Sequence, residues 1–351
     1  MLDRKEAARR IALNAMRLTG AAPLAAPFLS GVGAILMLHR VSAEPPKPLG
    51  INRHLTVTPG FLDRLLGKLK RKRYAFVTMD EAVEALVTGR GRRFLAVTAD
   101  DAYRDNLTEA LPVLEHHDVP IAIHVCPGLA SRRVDLWWDV LEDVVCARDR
   151  LYLDTAEGRV AFDCGTLAAK HETVRAIHDH LTTVVREEER QTVLRDLARS
   201  VGVDHAKPSR DTLMDWNEIR RAAQHRLVTI GAHTVNHYNL RRLSAEAALR
   251  EMADAARIIE LELGRRPVHM AYPYGYESAV GPREVALAAE AGYRSAVTTR
   301  HGVLQREHAG HLHSLPRISV NGRYQRLAHV RTMLSGLTTP LANAGRRLVT
   351  V

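Results

Sequence analysis

The sequence predicts an α/β protein built on a parallel sheet, and two observations carry that prediction. Short apolar runs alternate with amphipathic stretches along most of the chain, which is the pattern of β and α units in turn. Seven or eight such runs occur in 351 residues, a number that favours closure into a barrel over an open sheet.

The expected strands are Ile35–Leu38, Ala75–Val77, Phe94–Thr98, Ile121–Val125, Leu227–Gly231, Val268–Tyr272, Ser295–Thr298 and Leu315–Val320. Pro59-Gly60 leads into an expected helix over Phe61–Arg71, with Phe61, Leu65 and Leu69 on one face. A second expected helix, Asp105–His117, follows the acidic pair Asp100-Asp101. A third starts at an N-cap, Ser244, and stops at Gly264 after Leu263; its stripe of Ala248, Met252, Ala255, Ile259 and Leu263 reads as core. The alternation lapses between about residues 137 and 215, a charged stretch with Glu187-Glu188-Glu189-Arg190 in its middle. It is expected to be a helical insertion packed over a barrel at 35–320, with residues 1–34 an N-terminal helical or apolar extension and 321–351 a tail.

Composition narrows the function. Hydrophobic residues make up 46% of the chain, enough for a large core. Lys+Arg 50 against Asp+Glu 40 gives a formal +10, spread along the sequence rather than gathered in a tail. With 5% aromatic residues and no zinc-finger or RNA-binding signature, no nucleic-acid partner is expected. Cys126, Cys146 and Cys164 are odd in number and widely spaced, so they form neither a disulfide framework nor a C-x-x-C metal site. Lys5, Arg9 and Arg10 precede a mostly apolar stretch from Leu18 to Leu38, but Pro23, Pro27, Gly31 and Gly33 interrupt it. The expectation is a cytoplasmic or membrane-associated protein without a cleavable signal, with peripheral membrane contact left open.

The chemistry gathers at strand ends. Asp100 and Asp101 follow the apolar run Phe94–Val97; adjacent carboxylates near a core repel one another and call for a metal or an arginine beside them, or else mark a solvated turn or a helix N-cap. His233 and His237 follow the run Leu227–Gly231; two imidazoles four apart at a strand end can converge on one ion, or can be surface histidines in a polar loop. Functional groups of α/β barrels collect at the C-terminal strand ends, and both pairs sit there, which favours the metal. Tyr272-Pro273-Tyr274-Gly275 marks a rigid turn that could aim backbone N–H groups inward. Arg317, alone in an apolar run, needs an anion, and Asp100 is the expected partner. His39 ends the first strand as a candidate proton donor.

The segments ILMLHRV, TADDAYRDN, IGAHTVNH, MAYPYG and LPRISV, in this order, resemble the polysaccharide deacetylases of carbohydrate esterase family 4, the NodB-homology group. The resemblance spans about Ile35 to Val320. It implies a distorted (β/α)7 barrel that hydrolyses N-acetyl, or sometimes O-acetyl, groups of glycans. The implied cofactor is a divalent metal, Zn2+ first, with Co2+, Ni2+ or Fe2+ as alternatives, held by Asp101, His233 and His237. Asp100 would be the general base, Tyr274 would lend its backbone N–H to the oxyanion, and Arg317 would orient Asp100. A histidine on the first strand resembles the circularly permuted branch and makes His39 the general acid. Such an assembly acidifies water, polarises the acetyl carbonyl and protonates the departing amine. The implied partner is an acetylated glycan. Hydrolysis of an O-acetyl ester or a non-sugar amide is the same-chemistry alternative, and a degenerate glycan-binding protein of a polysaccharide-synthesis system is the non-enzymatic one.

The chain departs from the family pattern in two ways. Many members carry Phe and Gly around the acid pair, where this chain has Ala99 and Ala102. Because alanine takes positive φ at a cost, the loop is expected to differ or activity to fall. The arginine common before the Pro-Tyr turn is absent, with Ala271 near that position and Arg317 as its expected substitute.

Overall fold

The structure is a computed structural model, and it describes Ile11, residues 13–16 and 21–351. Lys5, Arg9, Arg10 and Leu18 lie outside the described residues. Eight strands form the main sheet: β1 (Gly33–Leu38), β2 (Ala75–Val77), β3 (Phe94–Asp100), β4 (Ile121–Val125), β5 (Val228–Ala232), β6 (His269–Ala271), β7 (Ser295–His301) and β8 (Leu315–Ser319). They run in the order β1-β8-β7-β6-β5-β4-β3-β2, and β1 also pairs with β3. That extra pairing closes a seven-stranded parallel barrel, with β2 added alongside the first half of β3.

The seam between β1 and β3 runs in unbroken register from Gly33↔Phe94 to Leu38↔Ala99. Both strands are buried along their whole length, as parallel strands covered on both faces should be. At the foot of the seam only glycine fits: a Cβ on Gly33 would lie 2.7 Å from the Phe94 carbonyl oxygen and 2.8 Å from its ring. The register therefore delivers His39 and Asp100 to the same end of the barrel.

The outer helices bury the stripes their spacing announces. Pro59–Arg71 turns Phe61, Leu62, Leu65, Leu66 and Leu69 inward, behind a Thr58 cap that accepts from the Phe61 N–H. Ala245–Leu263 starts at Ser244, which accepts from the Ala247 N–H, and ends at Gly264 with φ 72°. The expected helix after the acid pair begins as a π turn, Asn106–Ala110, and becomes α only at Leu111–His116.

The stretch over 137–215 has helices Trp137–Ala147, Leu167–Thr183, Arg190–Ser200 and Lys207–Thr212. It also has an antiparallel hairpin, Arg150–Thr155 with Gly158–Asp163, that helical periodicity did not predict. These elements share a cluster of their own, including Trp137, Leu141, Val144, Leu153, Ile177, Leu181 and Leu197. The end of the chain folds back on the barrel: helix Leu327–Leu334 contacts helices Ala21–Leu29 and Pro59–Arg71, and Val349 is buried. No helix among the described residues is long and apolar enough to cross a membrane.

Candidate active site

Asp100 lies at the end of β3 and is almost wholly buried. Arg317, rising from the middle of β8, donates from Nη1 to Asp100 Oδ1 at 2.9 Å and from Nη2 to Oδ2 at 2.7 Å. Its remaining donors reach the Thr298 carbonyl and Thr98 Oγ1, so the guanidinium is fixed on all sides. A second donor is His124 of β4, whose Nδ1 gives its proton to Asp100 Oδ1 at 2.9 Å. Burial works against a charge here. The Arg317 guanidinium and the His124 hydrogen bond outweigh it and hold the Asp100 carboxyl well below the usual carboxylate range.

Asp101 is treated in the opposite way. Burial, then the neighbouring charge of Asp100, push its carboxyl well above the usual range. Its Oδ1 is buried without a hydrogen-bond partner, 3.5 Å from His233 Nε2 and 3.4 Å from His237 Nε2. His233 donates from Nδ1 to the Ala271 carbonyl at 2.7 Å, which leaves the Nε2 lone pair facing Asp101. Burial lowers His233 to about 4 and His237 well below its ordinary value, so both imidazoles are neutral, the form a metal requires. One carboxylate, with its orphaned oxygen, and two neutral imidazoles make a donor set that fits a divalent metal ion.

The backbone of the site is strained where it carries these groups. Asp101, Ala102, Thr234, His237 and Tyr274 all have φ between 54° and 70°. Ala102 thus adopts the left-handed turn that glycine would take more cheaply. The histidine loop is held by Glu251 of helix Ala245–Leu263, whose carboxylate accepts from the backbone N–H of Val235 and Asn236 and from the Asn236 side chain.

His39 follows β1 and lines the same cavity as Asp100, Asp101, His233 and His237. Asn106 donates to its carbonyl at 2.7 Å, and Asp105 accepts from the next residue but one, the Val41 N–H, at 3.0 Å. The tail of the segment TADDAYRDN therefore pins the loop that bears His39. Burial pulls the His39 imidazole down to about 4, although the Asp100 charge acts to raise it. Tyr274 stands on the turn after β6, with its hydroxyl accepting from Trp137 Nε1 at 2.9 Å. Among the described residues nothing accepts the Tyr274 backbone N–H.

The cavity holds about 520 Å³. Its polar end is the cluster just described; Ile51, Leu141, Val174 and Trp137 line an apolar side, largely from the insertion. The insertion is locked to the histidine loop by Glu187, from the charge run in its middle. Glu187 and Arg190 are both buried and pair at 2.8 Å, and Glu187 also accepts from Arg242 and from the Asn239 N–H. The Arg190 guanidinium lies over the rings of Trp137 and Tyr274.

The structure thus brings together every residue singled out at the strand ends: His39, Asp100, Asp101, His233, His237, Tyr274 and Arg317. Sequence reasoning missed His124 and Glu251. For His124 there was one signal, the glycine in the strand beside it: a Cβ on Gly231 would lie 2.4 Å from His124 Cδ2. For Glu251 there was none, since it is one acid on an otherwise ordinary helix.

Comparison with known proteins agrees with this geometry. The family described as polysaccharide deacetylase matches residues 88–296. No curated protein sequence matches the chain. Among solved structures, the Streptococcus pyogenes deacetylase PplD in complex with acetate is similar at 19% identity and a TM-score of 0.57, over 86% of this chain and 97% of that one. IcaB from Ammonifex degensii is similar at 16% identity and a TM-score of 0.52, over 86% and 97%. BC0361, a polysaccharide deacetylase from Bacillus cereus, gives 15% and 0.53 over 86% and 68%. At these identities the likeness speaks for the barrel alone, whereas the family match covers more than half of the chain. The chain belongs to the polysaccharide deacetylase family and is a hydrolase of the deacetylase kind.

Proposed function

We propose that the protein removes N-acetyl groups from an N-acetylhexosamine-containing glycan with the help of a divalent metal. The observation that carries this reading is the contrast within one pair of acids. Asp100 is held ionised by Arg317 and His124, while Asp101 presents an unpartnered oxygen to two neutral histidines.

Asp101, His233 and His237 would hold the ion, which when bound supplies Lewis acidity toward an acetyl carbonyl and acidifies water. Asp100 takes the proton of the attacking water on its carboxylate. Arg317 and His124 fix the direction of that carboxylate, so it moves little as it changes charge. The Tyr274 backbone N–H donates to the oxyanion of the tetrahedral intermediate. His39 gives a proton to the departing nitrogen. Burial holds its imidazole at about 4 even with the Asp100 charge acting to raise it, so His39 is neutral at rest and would pass on the proton that Asp100 takes from water. The apolar wall formed by Trp137, Leu141 and Val174 limits access of bulk water to the reacting end.

The test is acetate release from an N-acetylglucosamine oligomer, before and after chelation, with metal content measured in parallel. Turnover that disappears with the metal and returns on adding Zn2+ or Co2+ supports the reading. No turnover on any acetylated glycan at full metal occupancy would leave a binding protein instead.

A further inference from the structure

The opposite end of the barrel carries a feature that deacetylation does not use. Where β1 and β3 begin, a cavity of about 280 Å³ is lined by Arg90, Arg92, Arg93 and Arg306 together with Ser30 and Gly31. No carboxylate lines it. Among the described residues none of these four arginines forms an ion pair; Arg93 lies with its guanidinium over the Tyr74 ring, while Arg90, Arg92 and Arg306 are exposed. The nearest acids in sequence, Glu84 and Glu307, pair with none of them. Three exposed guanidinium groups around one cavity without counter-charge repel one another and attract an anion.

The surface beside this cavity is apolar. Ser30 follows directly on helix Ala21–Leu29, whose Leu24 and Phe28 are 75% and 78% exposed. Lying four apart, these two side chains share one helix face, and no residue among those described covers it. Val87, two residues before the lining Gly89, is 59% exposed. Anionic charge and hydrocarbon are thus called for side by side, which is the chemistry of a phospholipid headgroup above its acyl chains.

We infer that the N-terminal end of the barrel docks on an anionic phospholipid bilayer, with the exposed Arg90, Arg92 and Arg306 taking headgroup phosphates and Leu24 and Phe28 entering the interface. Because the candidate active site opens at the other end, docking in this way turns its mouth away from the bilayer. A membrane-held enzyme would then act on polymer extending outward rather than on sugars at the lipid surface.

The experiment is co-sedimentation of the full chain with vesicles of mixed phosphatidylglycerol and phosphatidylcholine, against vesicles of phosphatidylcholine alone. Binding should require the anionic lipid and weaken as salt rises from about 0.05 to about 0.5 M. Replacing Arg90, Arg92 and Arg306 by glutamine should lower partitioning roughly 100-fold. Leu24→Asp with Phe28→Asp should lower it about tenfold or more. Deacetylation of a soluble oligomer should be unchanged in both variants, which also shows that they fold. The inference is overturned if the intact chain does not favour anionic vesicles, or if neither set of substitutions weakens sedimentation. It is equally overturned if inorganic phosphate, at constant ionic strength, abolishes sedimentation, because the cavity would then be a site for soluble phosphate.

Discussion

Arg317 grips Asp100 through two parallel hydrogen bonds, 2.9 and 2.7 Å long, in a place solvent does not reach. The two residues are 217 positions apart and come from different strands, so the barrel itself makes the pair. Removing the arginine should leave a buried carboxylate uncompensated. Arg317→Met is expected to cost about 3–5 kcal/mol in stability, and Arg317→Met with Asp100→Asn should recover part of that loss. Since the guanidinium lowers the Asp100 pKa, its loss should also move the acid limb of the pH–rate profile upward. Denaturant unfolding and a kcat/KM profile check the two effects; an unmoved acid limb would contradict the role of Asp100 as base.

Metal affinity should depend on pH through Asp101. Burial and Asp100 favour its protonated form, whereas an ion needs the carboxylate. Binding should therefore release a proton, and affinity should rise with pH until Asp101 is ionised without help. His233, lowered to about 4, competes for protons only in more acidic solution. Calorimetric titration with Zn2+ in buffers of different ionisation enthalpy measures the release. Asp101→Asn and His233→Ala should lose metal and turnover together, while Asp100→Asn keeps the metal and loses turnover, by a factor of about 10²–10⁴.

Stability should fall on mild acidification because histidines are buried neutral. His269, bonded to Ser295 and Asp80, is lowered to about 4 by desolvation. Its folded pKa lies below the unfolded value, so the unfolded chain takes up the proton first as pH drops below about 6.5. The stability at stake is on the order of 3 kcal/mol, intact above that pH and lost progressively toward pH 4. Urea unfolding of His269→Gln should show a shallower slope between pH 6.5 and 4.5 than the parent; an equal slope would assign the effect to other groups.

Ala102 offers a test of strain. It holds φ 54° next to Asp101 at 70°. Glycine there relieves about 1–2 kcal/mol of backbone strain and gives back about 0.5–1 kcal/mol as unfolded-state entropy. Ala102→Gly should be neutral to slightly stabilising, with turnover equal to or above the parent. A clear loss of turnover would mean that the buried methyl group, rather than the turn, matters.

Glu187 should matter more than its place in a charge run suggests. It neutralises Arg190 and Arg242 and accepts from the loop that follows His237. Glu187→Ala is expected to destabilise by about 3–5 kcal/mol and to weaken metal retention, whereas Glu188→Ala, on the exposed side, should do neither. Thermal unfolding and metal content after dialysis separate the two.

The sequence by itself determined the barrel and most of its chemistry. Strand ends are written in local pattern, and barrels place function at strand ends, so Asp100, Asp101, His233 and His237 are legible as one candidate site in the sequence. The partnership of Arg317 with Asp100 was also legible, because a lone arginine in an apolar strand must find an anion. Tertiary structure decided what depends on three-dimensional neighbours. His124 looked like any residue of an apolar strand until the missing side chain at Gly231 made room for it beside Asp100. Nothing in local pattern marks Glu251 or Glu187 as buried; loops that wrap around them supply their N–H donors. Local pattern reports which way a residue faces; only packing decides which group stands opposite it, and the strength of a buried charge is set by that opposite group.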